Sequence, residues 1–161
     1  MKKLILTVLL LILPFTMIAC SPVQNNIQTN TPLDEQNITA EDIEEGKQVI
    51  QDYAEALNSG DLETVNKLLG KHMRGLYHDG NIDSITMKID SIEYPGRYTT
   101  ALIPPSSYRS NYGHDPYKSM CLYVIFSEFE TGDASISMDN WDYILIKETE
   151  ESPWVIHDWG V

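Results

Sequence analysis

The hydrophobic pattern of this 161-residue chain changes its period near Asn81, and that change limits the folds that are open to it. Before Asn81, apolar side chains recur every three or four positions, as they do on one face of a helix. After Asn81 they alternate with polar side chains, as they do in a strand that buries one face. Helices followed by a run of strands predict an α+β fold, in which the helices pack on an antiparallel sheet.

Two helices are predicted before the change of period. Thr39 is expected to cap the first helix, and Glu41 and Asp42 lie in its first turn, near the positive end of the helix dipole. Its apolar stripe consists of Ile43, Ile50, Tyr53, Ala54 and Leu57. Gly60 is expected to end this helix in a left-handed conformation, and Asp61 to cap a second, shorter helix.

The second half of the chain is predicted to form an antiparallel meander. Strands are expected at residues 85–89, 97–103, 118–129, 141–146 and 154–159. The segment 118–129 is apolar on both faces, which is typical of a central strand. The last two strands are predicted to form a hairpin with the acidic turn 148–153 in solvent. A strongly curved sheet that wraps around the long first helix would bury both apolar sets.

The segment PPSSYRSNYGHDPY, residues 104–117, has neither a helical nor a strand period and is predicted to be a long loop. It is rich in Tyr, Ser and Asn, which binding loops use for adaptable contacts. Its candidate recognition residues are Tyr108, Arg109, Tyr112 and His114. The alternative is a mobile loop that has no specific partner.

Two stretches resemble the nuclear transport factor 2-like superfamily. The run YAEALNSGDLE, residues 53–63, is similar to the junction of its first two helices, and residues 143–160 are similar to its closing hairpin. The likeness is greatest to an uncharacterised branch found in Gram-positive lipoproteins. The resemblance spans about residues 39–161 and implies a cone-shaped α+β fold with a pocket between helix one and the concave sheet. It implies no particular reaction, because the superfamily includes enzymes, transport adaptors and binding modules.

Six residues are candidates for the lining of such a pocket. They are Tyr53, Tyr123, Trp141, Tyr143, His157 and Asp158. Enzymes of the superfamily use a Tyr, Asp or His inside the cone, and a buried Asp with a raised pKa can act as a general base. Strand alternation puts His157 and Asp158 on opposite faces, so at most one of them points inward. Because no catalytic set of an enzymatic branch is matched, we favour a binding pocket over an isomerase-like or dehydratase-like enzyme.

The N-terminus has the features of a lipoprotein signal. Lys2 and Lys3 precede the mostly apolar stretch 4–19, whose 16 residues suit a signal peptide and fall short of the about 20 that a membrane span needs. The sequence MIAC at 17–20 resembles the lipobox of bacterial lipoproteins, with Met where Leu is commonest. The resemblance implies cleavage before Cys20 and diacylglycerol on its sulfur, and two acyl chains hold a protein stably on a membrane. The alternatives are an ordinary cleaved signal peptide and an uncleaved anchor.

The charge of the chain restricts its partners. Residues 21–38 are polar and are predicted to tether the domain 39–161 to the membrane. The chain has 24 acidic and 11 basic residues, a formal net charge of −13, and loss of the leader removes two of the lysines. So acidic a surface argues against nucleic acid as a partner and against lying flat on anionic lipid.

No cofactor or metal site is predicted. The four histidines are scattered, and neither a His-x-x-x-His nor a Cys-x-x-Cys spacing occurs. Cys121 lies in the pattern of the central strand and is predicted to be a buried, small apolar residue.

The predicted function is that of a lipid-anchored extracytoplasmic lipoprotein with a non-catalytic domain that binds a protein or a small molecule. The alternative is a small-molecule enzyme that uses the same pocket. A third possibility is self-association through an open face of the sheet, as a homodimer, which is compatible with the binding function.

Overall fold

The computed structural model of this chain describes residues 37–79, 81–96, 105–131 and 138–160. Its helices are α1 (Ala40–Ser59), α2 (Leu62–Leu68) and α3 (Ser106–Tyr112), and a short 3-10 helix spans Ile82–Ser84. Its strands are β1 (Ile85–Glu93), β2 (Lys118–Thr131), β3 (Asn140–Lys147) and β4 (Trp154–Gly160). Among the described helices, none is both long enough and apolar enough to cross a membrane.

Local hydrogen bonds confirm the predicted ends of the first helix. The Thr39 side chain accepts a hydrogen bond from the Asp42 N–H at 3.1 Å, and the Asp42 carboxylate accepts one from the Thr39 N–H at 2.9 Å. Gly60 ends α1 with a φ of 71°, a left-handed conformation that glycine adopts without strain. Asp61 then caps α2, because its carboxylate accepts a hydrogen bond from the Thr64 N–H.

The four strands form one antiparallel sheet in the order β1-β2-β3-β4, so the predicted α+β fold and meander are confirmed. β2 lies inside the sheet, as its two apolar faces predicted, and pairs with both β1 and β3. The chain that leaves α2 runs along the outer edge of β4, where Leu69 forms a parallel bridge with Ile156. The strand predicted at 97–103 lies outside the described residues.

α1 packs against one face of this curved sheet, which we call the inner face, and the opposite face is the outer face. The core between them contains Ile50, Leu57, Met120, Leu122, Val124, Leu145 and Ile156. Gly46 lets α1 approach β2 closely, because a Cβ atom at this position would lie 2.1 Å from Met120 Cε and 3.3 Å from Leu122 Cδ1. Glycine is unfavourable inside a helix, and the close packing of α1 on β2 explains why one stands at position 46.

A largely buried ion pair joins the start of α1 to the start of β2. Lys118 Nζ lies 2.6 Å from Asp42 Oδ2, and the two side chains are 16% and 6% exposed. Burial alone would raise the pKa of Asp42, but hydrogen bonds from Lys118 and Thr39 outweigh it and lower that pKa to about 2. The Asp42 carboxylate is therefore charged at neutral pH and serves both the helix cap and the ion pair.

α3 is a two-turn helix, so the prediction of a loop across 104–117 is wrong for its residues. Tyr108 is 1% exposed and packs on the outer face of the sheet against Ile146 and Val155. Gly113 ends the helix with a φ of 77°. A helix this short is not stable by itself, so the contact of Tyr108 with the sheet decides that it forms. Tyr108 is the one fully buried residue of α3, so the apolar residues of this segment show no helical period.

Candidate functional site

Two buried tyrosines, Tyr53 of α1 and Tyr143 of β3, meet between α1 and the inner face of the sheet. Each is 1% exposed, and their ring centroids lie 6.3 Å apart in an edge-to-face arrangement. Tyr53 lies on the buried stripe of α1, and Tyr143 alternates along β3 with Asp142 and Ile144, which face outward. The helical pattern thus places Tyr53 on the buried side of α1, and the strand pattern places Tyr143 on the inner face of the sheet. The fold brings the two side chains into contact.

Three half-buried aromatic side chains surround this pair. The Trp159 ring lies 6.1 Å from the rings of both Tyr53 and Tyr143, and the Trp141 ring lies 6.5 Å from that of Tyr143. Tyr77, which follows α2, places its hydroxyl oxygen 2.8 Å from that of Tyr53. We call these five residues the aromatic cluster. Because Tyr77, Trp141 and Trp159 keep part of their surface exposed, the cluster is in contact with solvent on their side.

The tyrosines of the aromatic cluster are neutral phenols at physiological pH. Burial raises the pKa of Tyr53 well above its usual range, and the neighbouring Tyr77 and Tyr143 raise it further. Burial also raises the pKa values of Tyr77 and Tyr143. One of the Tyr53 and Tyr77 hydroxyls donates to the other, so the pair keeps one O–H that can donate to a ligand.

The side chains of the aromatic cluster are suited to stacking and to hydrogen bonding. Its five residues include neither a carboxylate nor an imidazole. A general base needs a pKa near the working pH, and phenols with raised pKa values do not meet that requirement. Aromatic faces together with one phenol donor suit a flat, uncharged molecule that carries a hydrogen-bond acceptor.

The structure brings together three of the six predicted pocket residues and separates the other three. Tyr53, Trp141 and Tyr143 belong to the aromatic cluster. Tyr123 is buried on the outer face of β2, and His157 is buried on the outer face of β4. Asp158 is exposed, and its carboxylate accepts a hydrogen bond from the Trp159 N–H at 2.9 Å. The structure therefore places Tyr123, His157 and Asp158 outside the aromatic cluster.

Sequence reasoning missed Tyr77 and Trp159. The pairing of β3 with β4 shifts register after Ile144, so β4 carries one extra residue, His157, as a β-bulge. Strict alternation from Ile156 puts Trp159 on the outer face, and the bulge returns it to the inner face. Tyr77 lies in a segment without a hydrophobic period, so no signal in the sequence pointed to it.

A second cluster lies on the outer face around His157, which has no exposed surface. The His157 Nε2 atom lies 3.0 Å from the Ser107 hydroxyl of α3. The His157 ring lies 4.3 Å from the His72 ring and 5.5 Å from the Tyr108 ring. Burial, with a smaller effect of the neighbouring His72, lowers the pKa of His157 to about 4, although Asp158 acts in the opposite direction. The neutral imidazole thus holds α3 on the sheet.

The four predicted recognition residues differ in burial. Tyr108 is buried, and Tyr112 is half-buried with its ring 4.6 Å from that of Tyr108. Arg109 is exposed and forms an ion pair with Asp115. His114 is also exposed, and its Nδ1 atom lies 2.9 Å from the Asp115 carbonyl oxygen. Tyr108 is therefore a packing residue, whereas Arg109 and His114 present their side chains to solvent.

The described residues contain neither a cluster suited to a metal nor an activated thiol. No three of their His, Cys, Asp and Glu side chains lie close enough together to hold a metal ion. Cys121 is buried in β2, where burial and the neighbouring Asp142 raise the pKa of its thiol. Since the thiolate is the reactive form of cysteine, this thiol is a poor nucleophile.

Both clusters lie in the part of the chain that a protein-family comparison recognises. A family model described as a domain of unknown function, DUF4829, matches residues 47–160, from within α1 to the end of β4. No curated protein matches the chain. No solved structure matches it.

Proposed function

Since the chain belongs to the DUF4829 family, whose function is unknown, we propose a function from its own residues: a lipid-anchored lipoprotein with a non-catalytic binding domain. Diacylglycerol on Cys20 holds it on the extracytoplasmic face of the cell membrane. The ligand is a small, flat, uncharged molecule, and it binds at the aromatic cluster.

The binding role rests on the hydroxyls of Tyr53 and Tyr77. They lie 2.8 Å apart within a group of aromatic rings, and Tyr77 reaches the solvent. One O–H of the pair is left to donate, and the buried Trp141 Nε1–H is a further donor without a partner in the described chain. The cluster thus combines a large apolar area with a few directional polar groups. Small-molecule sites typically have this composition. Its position between the first helix and the sheet also agrees with the pocket of a nuclear transport factor 2-like cone, and we include that fold in the proposal.

The positions of the ionisable groups speak against the enzyme alternative. An isomerase or a dehydratase needs a base beside its substrate. His157 lies on the opposite face of the sheet, and Asp158 is exposed and hydrogen-bonded to the backbone. The cluster itself holds phenols and indoles, whose role is to donate hydrogen bonds and to stack.

The anchoring role rests on the leader, which lies outside the described residues. Its MIAC sequence at 17–20 resembles a lipobox, and α1 begins at Ala40. Ile38 packs against the core of the domain, so residues 21–37 are left as a tether between Cys20 and the domain. At about 5–6 Å times the square root of its length, such a tether has an r.m.s. reach of roughly 25 Å.

The substitution Cys20→Ala tests the anchor, and Ser21→Ala is its matched control. Cells that express each variant are fed radioactive glycerol, which labels diacylglycerol, and their membranes are then isolated. We expect labelled, membrane-bound protein for the wild type and for Ser21→Ala, and unlabelled protein for Cys20→Ala. Label on Cys20→Ala, or a bare Cys20 thiol in the mass spectrum of the native protein, contradicts the proposal.

Titration with coumarin, a flat and uncharged carbonyl compound, tests the binding site. The full chain is held in lipid nanodiscs, and its tryptophan fluorescence is followed, to which Trp141 and Trp159 of the cluster contribute together with Trp154. We expect a saturable change that Tyr77→Phe weakens about fivefold, since one hydrogen bond contributes about 1 kcal/mol. Tyr112→Phe, on the outer face, serves as the control and leaves the affinity unchanged. A titration without saturation, or one that Tyr77→Phe leaves unaltered, removes the aromatic cluster as the site.

A further inference from the structure

A groove runs between α1 and the free edge of β1, and we propose that it binds an extended peptide that carries a basic side chain. The α1 wall of this edge groove consists of Lys47, Gln51, Ala54, Glu55 and Asn58, and residues 87–92 of β1 form the other wall. Its volume is about 660 Å³. No residue of the aromatic cluster lines it, so this inference is independent of the proposed small-molecule site.

Among the strands of the described residues, β1 is an open edge of the sheet. The strand order ends at β1 on one side and at β4 on the other. The edge of β4 is occupied, because Leu69 bridges to Ile156 and the Gly70 N–H donates to the Ile156 carbonyl at 2.7 Å. Within the described residues, no backbone segment pairs with the edge of β1 that faces away from β2. Such an edge is a template for a further strand.

Asn58 shows how an amide group fits this edge. Its Nδ2 atom donates to the Met87 carbonyl at 2.8 Å, and its Oδ1 atom accepts from the Met87 N–H at 2.8 Å. One side-chain amide thereby makes the two bonds that a residue of a paired antiparallel strand would make. The backbone groups of Met87 therefore point away from β2 and into the groove.

Ile89 lacks a partner comparable to Asn58. The pairing of β1 with β2 shifts register on both sides of Ile89, so we infer the direction of its backbone groups from the residue opposite it and not from alternation alone. Phe126, which lies opposite Ile89 in β2, donates its own N–H to Asp139. Apart from the sheet itself, nothing in the described chain bonds to the Ile89 N–H or C=O. A peptide that continues the line begun by Asn58 would pair with both groups.

The charges of the groove favour a basic peptide. Both lysines of its walls are in ion pairs, Lys47 with Glu44 and Lys88 with Glu128. Glu55 of α1 and Asp90 of β1 are exposed and form no ion pair with another described residue. These two carboxylates on opposite walls attract a Lys or Arg side chain of the bound strand. The net charge of −13 adds a long-range attraction for cationic peptides.

Two fluorescent peptides, TVTRTVT and TVTETVT, test the edge groove on the full chain in nanodiscs of uncharged phosphatidylcholine. Fluorescence anisotropy gives the affinity of each. We expect the arginine peptide to bind at least about tenfold more tightly than the glutamate peptide. The arginine peptide with N-methylated alternate amides loses its affinity, because it cannot add a strand. On binding of the unmodified peptide, hydrogen exchange of the Ile89 amide slows.

Glu55→Lys and its matched control Glu41→Lys separate the groove from general electrostatic attraction. Both substitutions reverse one charge on the exposed surface of α1, but only residue 55 lines the groove. We expect Glu55→Lys to weaken the arginine peptide about tenfold, and Glu41→Lys to change it by less than about twofold. Equal losses in the two variants, equal affinity for both peptides, an unprotected Ile89 amide, or no saturable binding of the arginine peptide each overturn the proposal.

Discussion

The hydroxyl oxygens of Tyr53 and Tyr77 lie 2.8 Å apart, although the two side chains differ in burial. Tyr53 is 1% exposed, whereas Tyr77 keeps part of its surface in solvent. Their hydrogen bond therefore joins a buried hydroxyl, that of Tyr53, to a hydroxyl near water, that of Tyr77. Removal of one hydroxyl should not cost the same free energy of unfolding as removal of the other.

Tyr77→Phe is expected to destabilise the protein more than Tyr53→Phe. The first substitution leaves the Tyr53 hydroxyl buried without a partner, which costs about 1–3 kcal/mol. The second leaves the Tyr77 hydroxyl, which water can satisfy, and costs about 1 kcal/mol or less. Urea unfolding followed by circular dichroism measures both free energies. Equal losses, or the reverse order, would show that Tyr53 finds another partner.

The buried Asp42–Lys118 pair predicts a loss of stability in acid. The pKa of Asp42 is lowered from 3.8 to about 2 in the folded state, so the unfolded state takes up the proton first as the pH falls. The free energy of unfolding therefore decreases between about pH 4 and pH 2, by about 2 kcal/mol from this group. Above pH 4 the contribution is fully present.

Asp42→Asn removes this acid-sensitive contribution, and Glu44→Gln is its control. Glu44 forms an exposed ion pair with Lys47, which contributes less than about 1 kcal/mol. Urea unfolding at several pH values between 2 and 5 should give parallel curves for the wild type and Glu44→Gln. The curve of Asp42→Asn should be flatter, and a curve parallel to the other two would show that the pair does not lower the pKa.

His157 predicts a second and separate pH dependence at higher pH. Burial lowers its pKa from 6.5 to about 4, so between these values the unfolded state binds a proton that the folded state does not. The free energy of unfolding therefore falls as the pH drops from about 6.5 to about 4, by about 3 kcal/mol. His157→Gln should abolish this slope, whereas His114→Gln, at an exposed position, should keep it. A wild-type curve that is flat in this range would contradict the burial of a neutral imidazole.

Tyr108→Ala is expected to destabilise the fold by about 3 kcal/mol or more, because it empties a buried aromatic site on the outer face. Arg109→Ala, one residue further along the same helix, removes an exposed ion pair and should cost less than about 1 kcal/mol. Thermal unfolding compares the two variants. Similar melting temperatures would mean that α3 is not needed for stability and that the segment behaves as the free loop predicted from the sequence.

The helix ends and the strand order were predictable because their signals act locally. Thr39, Gly60 and Asp61 bond to residues at most five positions away, and a capping pattern of this kind is complete within the sequence that carries it. Each strand likewise buries one or two faces of its own, and the resulting alternation can be read without its neighbours. The α+β order, the central position of β2 and the inward placement of Tyr53 and Tyr143 followed from these patterns.

The tertiary structure alone decided which distant groups meet. The bulge at His157 turns Trp159 toward Tyr53. The contact of Tyr108 with the outer face of the sheet stabilises a helix in the segment around it. Tyr77 joins the aromatic cluster from a segment that has no period. Hydrophobic periodicity records that a side chain is buried within its own element, but not which partner buries it. Contacts between elements depend on register shifts and packing that no single stretch of sequence contains.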